Sequence, residues 1–144
     1  MLEQFPPRGL LMPSVVVDTH AAIWYLLKSP RISQTAFSLM EQVSQSGDNI
    51  FLSSISLVEV IYLVEKGKLS QDSLDSLLSG ITDSGSAWVL APLDLGVAQS
   101  VGRLMRSAVP DMPDRIIAAT ALHLNLPLIT CDSKIRATGL NTIW

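Results

Sequence analysis

The chain has 144 residues, which is enough for one domain with a sizeable hydrophobic core. Apolar residues make up 48% of it and charged residues only 16%, which excludes an intrinsically disordered protein. The formal net charge of −3 argues against a large basic surface for nucleic acid, and the single Cys131 excludes an internal disulfide and a cysteine metal cluster.

The first thirteen residues differ from the rest of the chain. Residues 1–13 are expected to form an N-terminal tail, with Met12 as an alternative start, and residues 14–144 a single domain. A secretion signal needs a basic start and an apolar run, but this segment carries Glu3 and prolines. No apolar run reaches the roughly 20 residues of a membrane span. The sequence therefore predicts a cytoplasmic protein with no membrane segment.

Short apolar strands alternate with helices along the chain. Strands are predicted at 14–17, 50–52, 87–90, 128–130 and 141–144. Helices are predicted at 20–27, from a Ser33 cap to about 45, at about 54–66 before Gly67, at 71–79 before Gly80, from an Asp94 cap to about 104, and from about 114 to 124. This order predicts an α/β fold with helices on both faces of a mainly parallel sheet.

Acidic side chains fall at corresponding points of this pattern. Asp18 follows the first strand, and Glu59 lies in the helix after the second. Asp114 opens the helix before the fourth strand, and Asp132 follows that strand. Sites in such folds lie beyond the carboxyl ends of the strands, so all of these acids are expected to face one pocket.

A cluster of carboxylates needs a compensating charge. The acids repel one another, and burial raises their pKa unless a cation or hydrogen-bond donor compensates. Oxygen ligands suit Mg²⁺ or Mn²⁺, and Mg²⁺ keeps water molecules that a substrate phosphate can replace. Two such ions about 4 Å apart can clamp both oxygens of a phosphodiester. The sequence therefore predicts metal-dependent phosphoryl chemistry.

Each acid also has a purely structural interpretation. Asp18 can cap the following helix, and Glu59 can complete a capping box with Ser56. Asp114 suits the positive end of a helix dipole, and Asp132 suits a local turn. Because all of these acids fall at one sheet edge, a shared site is the favoured interpretation.

Other chemistry has weaker support. His20 and His123 lack metal-ligand spacing, Cys131 is expected to be a small buried residue, and the aromatic residues, including Trp24, follow the apolar faces and are expected in the core. The sequence contains no P-loop, no GxGxxG motif and no nucleophile elbow.

Three segments together resemble a known family. VVVDTHAAIWYL, SSISLVEVIYLVEKGKL and PDRIIAATALHLNLPLITCD resemble PIN-domain ribonucleases, in particular the VapC-type toxins of toxin–antitoxin pairs. The resemblance runs from about residue 15 to 144. It implies a three-layer α/β/α sandwich and hydrolysis of RNA by metal-activated water with Mg²⁺ or Mn²⁺. Asp18, Glu59, Asp114 and Asp132 match the four acids of the family, of which Asp18 and Asp114 would hold the metal most directly.

The resemblance also implies roles for neighbouring residues. Thr130 would orient an acid without binding the metal, and Ser53 stands where the family often has Ser or Thr. Asp111 matches a less constant acid, and Arg115 would pair with an acid or approach phosphate. Cys131 departs from the family, since many members have a basic residue there.

Partners and rival functions follow from the same comparison. The family implies a homodimer and a small cognate antitoxin protein whose tail fills the RNA groove. One rival is a PIN-like module that binds RNA or protein without cleavage, although the four acids are intact. A second rival is a haloacid-type phosphatase, but its second Asp would stand where this chain has His20.

Overall fold

The computed structural model describes residues 14–144, so the predictions for the tail and for Met12 lie outside the described residues. The strands are β1 (Val15–Val17), β2 (Ile50–Ser53), β3 (Trp88–Ala91), β4 (Leu128–Ile129) and β5 (Thr142–Ile143). The helices are α1 (Thr19–Leu26), α2 (Gln34–Gln45), α3 (Ser54–Glu65), α4 (Gln71–Thr82), α5 (Leu95–Val101), α6 (Met112–Leu124) and α7 (Ser133–Arg136).

The five strands form one sheet in the order β3-β2-β1-β4-β5, and every pair is parallel. The central strand β1 is fully buried, because helices cover both faces of the sheet. Val15 and Val17 join one hydrophobic core with residues of α1, α2 and α4. Val16 joins the other core, with residues of α5, α6 and α7. The predicted three-layer α/β/α sandwich is therefore confirmed.

The prediction that Gly80 ends its helix is wrong. Helix α4 continues through Gly80 to Thr82. A Cβ atom on Gly80 would lie 3.3 Å from Trp88 Cδ1, so the helix passes unusually close to β3 at this point. The glycine therefore permits close packing of helix on strand, where the sequence alone indicated a helix stop.

The parallel sheet brings several chain segments to one edge. Strands β1 and β4 pair directly, with Val17 opposite Ile129, so the residues that follow them start from the same edge. The backbone N–H of Asp18 donates to the carbonyl of Ile129 at 3.1 Å, which continues the ladder to that edge.

Within residues 14–144, no helix is both long enough and apolar enough to cross a bilayer.

Candidate active site

Asp18 is held in place by the backbone at the start of α1. It follows β1 directly, and its Oδ1 atom accepts a hydrogen bond of 2.8 Å from the N–H of Ala21. The side chain is only 8% exposed. Burial raises the pKa of Asp18, while hydrogen bonds from Thr130 and Ala21 oppose the rise. Asp18 therefore caps the helix with one of its two carboxylate oxygens, so the capping role does not exclude a second role for the carboxylate.

Glu59 lies inside α3, and the structure does not support the alternative in which it forms a capping box with Ser56. The helix begins straight after β2, and Ser53 caps it by accepting a hydrogen bond from the N–H of Ile55. Ser56 is therefore inside the helix and fully buried. Glu59 Oε1 instead lies 2.5 Å from the hydroxyl oxygen of Thr19 in α1.

Thr19 ties α1 to α3 at the site. Its hydroxyl oxygen also lies 2.9 Å from Ser56 Oγ, and both hydroxyl residues are buried. A hydroxyl has one proton and a carboxylate only accepts, so Thr19 donates to Glu59 and Ser56 supplies the donor of the second contact. The orientation of Glu59 therefore depends on a residue next to Asp18.

We expect Thr19→Val to lower the free energy of unfolding by about 1–2 kcal/mol, because it removes a buried donor to a carboxylate. Thr120→Val is the matched control. Thr120 is equally buried, but its hydroxyl donates only to the Ile116 carbonyl of its own helix. Urea denaturation of both variants measures the difference, and equal losses would contradict a specific role for the contact between Thr19 and Glu59.

Asp114 is the acid with the least compensation. Asp111 caps α6 by accepting a hydrogen bond of 3.1 Å from the N–H of Asp114, which lies in the first turn. Burial raises the pKa of Asp114 to about 7, helped by repulsion from Asp111, Asp132, Glu59 and Asp18. Asp114 is therefore poised to hold a proton or to bind a cation near neutral pH.

Asp132 and Thr130 complete the edge after β4. Asp132 caps α7, and its Oδ1 atom accepts hydrogen bonds from the N–H groups of Lys134 at 2.8 Å and Ile135 at 3.1 Å. The hydroxyl oxygen of fully buried Thr130 accepts from the N–H of Asp132 at 3.0 Å, and the Thr130 side chain also lowers the pKa of Asp18 against the effect of burial. Thr130 thus links two of the acids.

The four predicted acids open onto one cavity of about 290 Å³. Its lining consists of Asp18, Thr19, His20, Trp24, Arg31, Glu59, Asp114, Cys131 and Asp132. Ser53 is not among these residues, since its side chain caps α3. Asp111 lines a neighbouring depression that shares Asp114 and Asp132 with the cavity.

The oxygen-only set of acids fits a hard divalent cation. Within residues 14–144, no three acidic, histidine or cysteine side chains form a group that could hold an ion by themselves. Protein donors already occupy one oxygen each of Asp18, Glu59 and Asp132. Mg²⁺ typically binds one or two carboxylates and keeps several water molecules, so this arrangement suits it better than a closed protein cage. Burial and repulsion from the other carboxylates raise the pKa of Asp114, and such a cation would offset both effects.

Sequence reasoning missed several residues at the cavity. The position of Thr19 directly after Asp18 could have indicated that Thr19 lies at the cavity. Nothing local in the sequence indicated that Arg31 lies there. The prediction that Cys131 is buried is wrong, because β4 ends at Ile129 and the chain then turns across the open edge, where Cys131 is exposed. Arg115 hydrogen-bonds to the backbone carbonyls of residues 101 and 104, which braces the loop after α5.

The family model of the PIN domain matches residues 15–140. The chain belongs to the PIN domain family. This match includes every residue that lines the cavity, from Asp18 to Asp132.

Individual relatives agree with this assignment. This PIN domain is 26% identical over 126 residues to ribonuclease VapC22 of Mycobacterium tuberculosis, covering 88% of this chain and 92% of that protein. The VapBC2 structure from Rickettsia felis, bound to a promoter DNA fragment, matches with a TM-score of 0.69 at 20% identity, over 90% of this chain and 97% of that chain. The DNA-bound VapBC of Salmonella typhimurium matches with a TM-score of 0.66 at 18% identity, over 93% and 98%.

The acid cluster of this PIN domain should cost stability near neutral pH. The pKa of Asp114 is about 7 in the folded protein but near 3.8 when unfolded, so the folded state binds more protons between these values. Stability therefore falls as pH rises from about 4 to 7, and the penalty is complete above 7. After discounting for solvent screening, we expect Asp114→Asn to stabilise the metal-free protein by about 1 kcal/mol at pH 8 and by nothing at pH 4. Thermal melts with chelator measure this; a destabilised variant at pH 8 would contradict it.

Proposed function

We propose that the chain is a ribonuclease that requires Mg²⁺, or Mn²⁺ in its place, and hydrolyses RNA phosphodiester bonds. The observation that carries the proposal is the single cavity lined by four carboxylates at the carboxyl edge of a PIN-fold sheet. The 26% identity to a ribonuclease over most of both chains supports the choice of RNA.

The residues divide into two pairs in this proposal. Asp18 and Asp114 would hold the ion most directly, since the backbone fixes Asp18 and the negative charge of Asp114 lacks compensation. Glu59 and Asp132 would act through water or hold a second ion, and Thr19 and the N–H groups of α7 orient these two side chains. Thr130 positions Asp18 and Asp132 relative to each other.

A bound divalent ion would supply Lewis acidity toward a water molecule and the scissile phosphate. The protein contributes orientation and proton control. Because the pKa of Asp114 is about 7, this side chain must release its proton before it can act as a ligand. Asp18 and Asp132 line a cavity of about 290 Å³, which has room for a phosphate group.

We further propose that the protein is the toxin of a type II toxin–antitoxin pair and acts in the cytoplasm, where cellular RNA is found. The structural neighbours that support this are VapBC complexes. A small antitoxin and a second copy of the chain are the proposed partners. Exposed apolar side chains at Tyr62, Leu95, Met105 and Met112, each more than half exposed, supply apolar area for such contacts.

RNA cleavage by the purified chain tests the proposal. A mixed pool of structured RNA is incubated with Mg²⁺ or Mn²⁺, with and without chelator, after any co-purified antitoxin has been removed under denaturing conditions. We expect cleavage that chelator abolishes and added metal restores, and no hydrolysis of a small phosphate monoester. Cleavage of the ester would favour the haloacid-type phosphatase, and binding of RNA without cleavage would favour the binding module.

A further inference from the structure

One wall of the acid cavity is not acidic. It is formed by His20, Trp24 and Arg31, which we call the Trp24 wall. The guanidinium carbon of Arg31 lies 5.9 Å from the centre of the Trp24 ring, and the His20 ring lies 5.6 Å from it at an angle of 48°. Trp24 is therefore a half-buried part of the cavity wall, and not only a core residue as its apolar spacing predicted.

The loop after α1 places Arg31 over Trp24. Lys28 adopts a left-handed backbone conformation with φ of 51°, which turns the chain back toward the helix. The N–H of Ser29 then donates to the carbonyl of Trp24 at 2.8 Å, and the Ser29 hydroxyl accepts from the N–H of Arg31 at 3.2 Å. Trp24 also packs edge-on against Trp144, with ring centres 5.8 Å apart. The guanidinium thus lies over a ring that also packs against a second indole.

Arg31 brings a positive charge to a cavity that is lined by four acids. Among the residues that line the cavity, all within the described part of the chain, it is the one with a permanent positive charge. The side chain of Arg31 is also exposed, so its guanidinium is accessible to a ligand that enters the cavity.

An RNA backbone that approaches four carboxylates meets repulsion at close range. A guanidinium at the rim offsets this repulsion, and its planar donor fork matches phosphate oxygens. Stacking on an indole fixes the side chain in advance, which lowers the entropy lost when it binds. These features favour a phosphate ligand beside the acids.

We propose that Arg31, supported by Trp24, binds a phosphate of the RNA strand next to the bond that is cut. The inference rests on the proposed ribonuclease function, since it names a substrate contact in the same cavity. Arg31 is a substrate-binding residue in this proposal, and Trp24 is a positioning residue that acts through it.

Binding of RNA in the absence of cleavage tests the proposal. Fluorescence anisotropy follows a labelled pool of single-stranded RNA with Mg²⁺, using Asp114→Asn protein so that the RNA stays intact. Adding Arg31→Gln should weaken binding about tenfold and reduce the slope of log Kd against log salt concentration by about 0.7, the amount expected for one phosphate contact. Lys28→Gln removes the same charge from the same loop at an exposed residue outside the cavity lining, and should change neither quantity.

Kinetics and a conservative variant separate this contact from a structural role. With Asp114 intact, Arg31→Gln should raise KM about tenfold and leave kcat within about twofold, because the lost contact binds substrate and transition state alike. Arg31→Lys should keep the salt slope and recover part of the affinity. Equal binding by the Arg31→Gln and parent proteins, or equal effects of Arg31→Gln and Lys28→Gln, would overturn the proposal, as would absence of RNA binding by the parent protein. RNA that is bound but never cut by the wild-type chain would contradict the ribonuclease and leave Arg31 as an RNA contact.

Discussion

Asp114→Asn is expected to lower the rate of RNA cleavage by on the order of 10³-fold. A ligand to a catalytic ion contributes several kcal/mol of transition-state stabilisation, and each 1.4 kcal/mol corresponds to a factor of ten. Asparagine keeps the shape of the side chain but removes its charge, so it binds a divalent cation poorly. Asp18→Asn should have a similar effect, because both residues are proposed to hold the ion directly.

Two matched variants distinguish loss of a ligand from loss of a helix cap. Asp72 lies in the first turn of α4 as Asp114 does in α6, and Asp94 caps α5 as Asp18 caps α1. Neither control residue lines the acid cavity. Asp72→Asn and Asp94→Asn should therefore leave cleavage within about twofold of wild type. Single-turnover cleavage of the RNA pool measures all four variants, and similar losses in the Asp94→Asn and Asp18→Asn proteins would indicate a folding effect.

Binding of Mn²⁺ should stabilise the wild-type protein and should depend on pH. At an ion concentration of about 100 times Kd the gain is roughly 2.7 kcal/mol, or about 5–10 °C in Tm for a chain of this size. The pKa of Asp114 is about 7, so below that pH the ion must displace a proton from this side chain. We expect affinity to fall roughly threefold to tenfold for each unit of pH between 7 and 5.

Asp114→Asn separates this proton effect from the other acids. The variant should bind Mn²⁺ at least tenfold more weakly at pH 8, and its residual affinity should vary less with pH than that of the wild type. Calorimetry at several pH values measures the affinity, and proton uptake by buffers of different ionisation enthalpy reports the proton released. A wild-type affinity that stays constant from pH 5 to pH 8 would contradict the assignment of Asp114 as a ligand.

Local sequence patterns correctly predicted helix caps and a buried strand. Ser33 caps α2 by accepting from the N–H of Ala36, as its position before an amphipathic segment indicated. The run Val15–Val17 forms a strand buried on both faces, as a short β-branched run without polar residues indicates. Asp94 likewise caps α5. The two caps depend on contacts within a few residues along the chain, and the strand is indicated by the composition of its own three residues.

Predictions failed where packing between distant elements decides. Gly80 indicated a helix stop, but the close approach of Trp88 explains the glycine. The capping-box alternative for Ser56 and Glu59 also fails, because α3 already starts at Ser54, directly after β2, and Ser56 is buried against Thr19. Cys131 has the residue type of a core position, but it lies past the end of β4 and is exposed.

The sequence by itself determined the parallel α/β architecture and the places of Asp18, Glu59, Asp114 and Asp132 at its carboxyl edge. It could do so because element order and parallel pairing define that edge without any knowledge of side-chain contacts. Only the tertiary structure decided which oxygens are already occupied, why the pKa of Asp114 is near 7, and that Arg31 faces the acids. Those properties arise from residues far apart in the chain, because burial and charge repulsion depend on distances that folding creates.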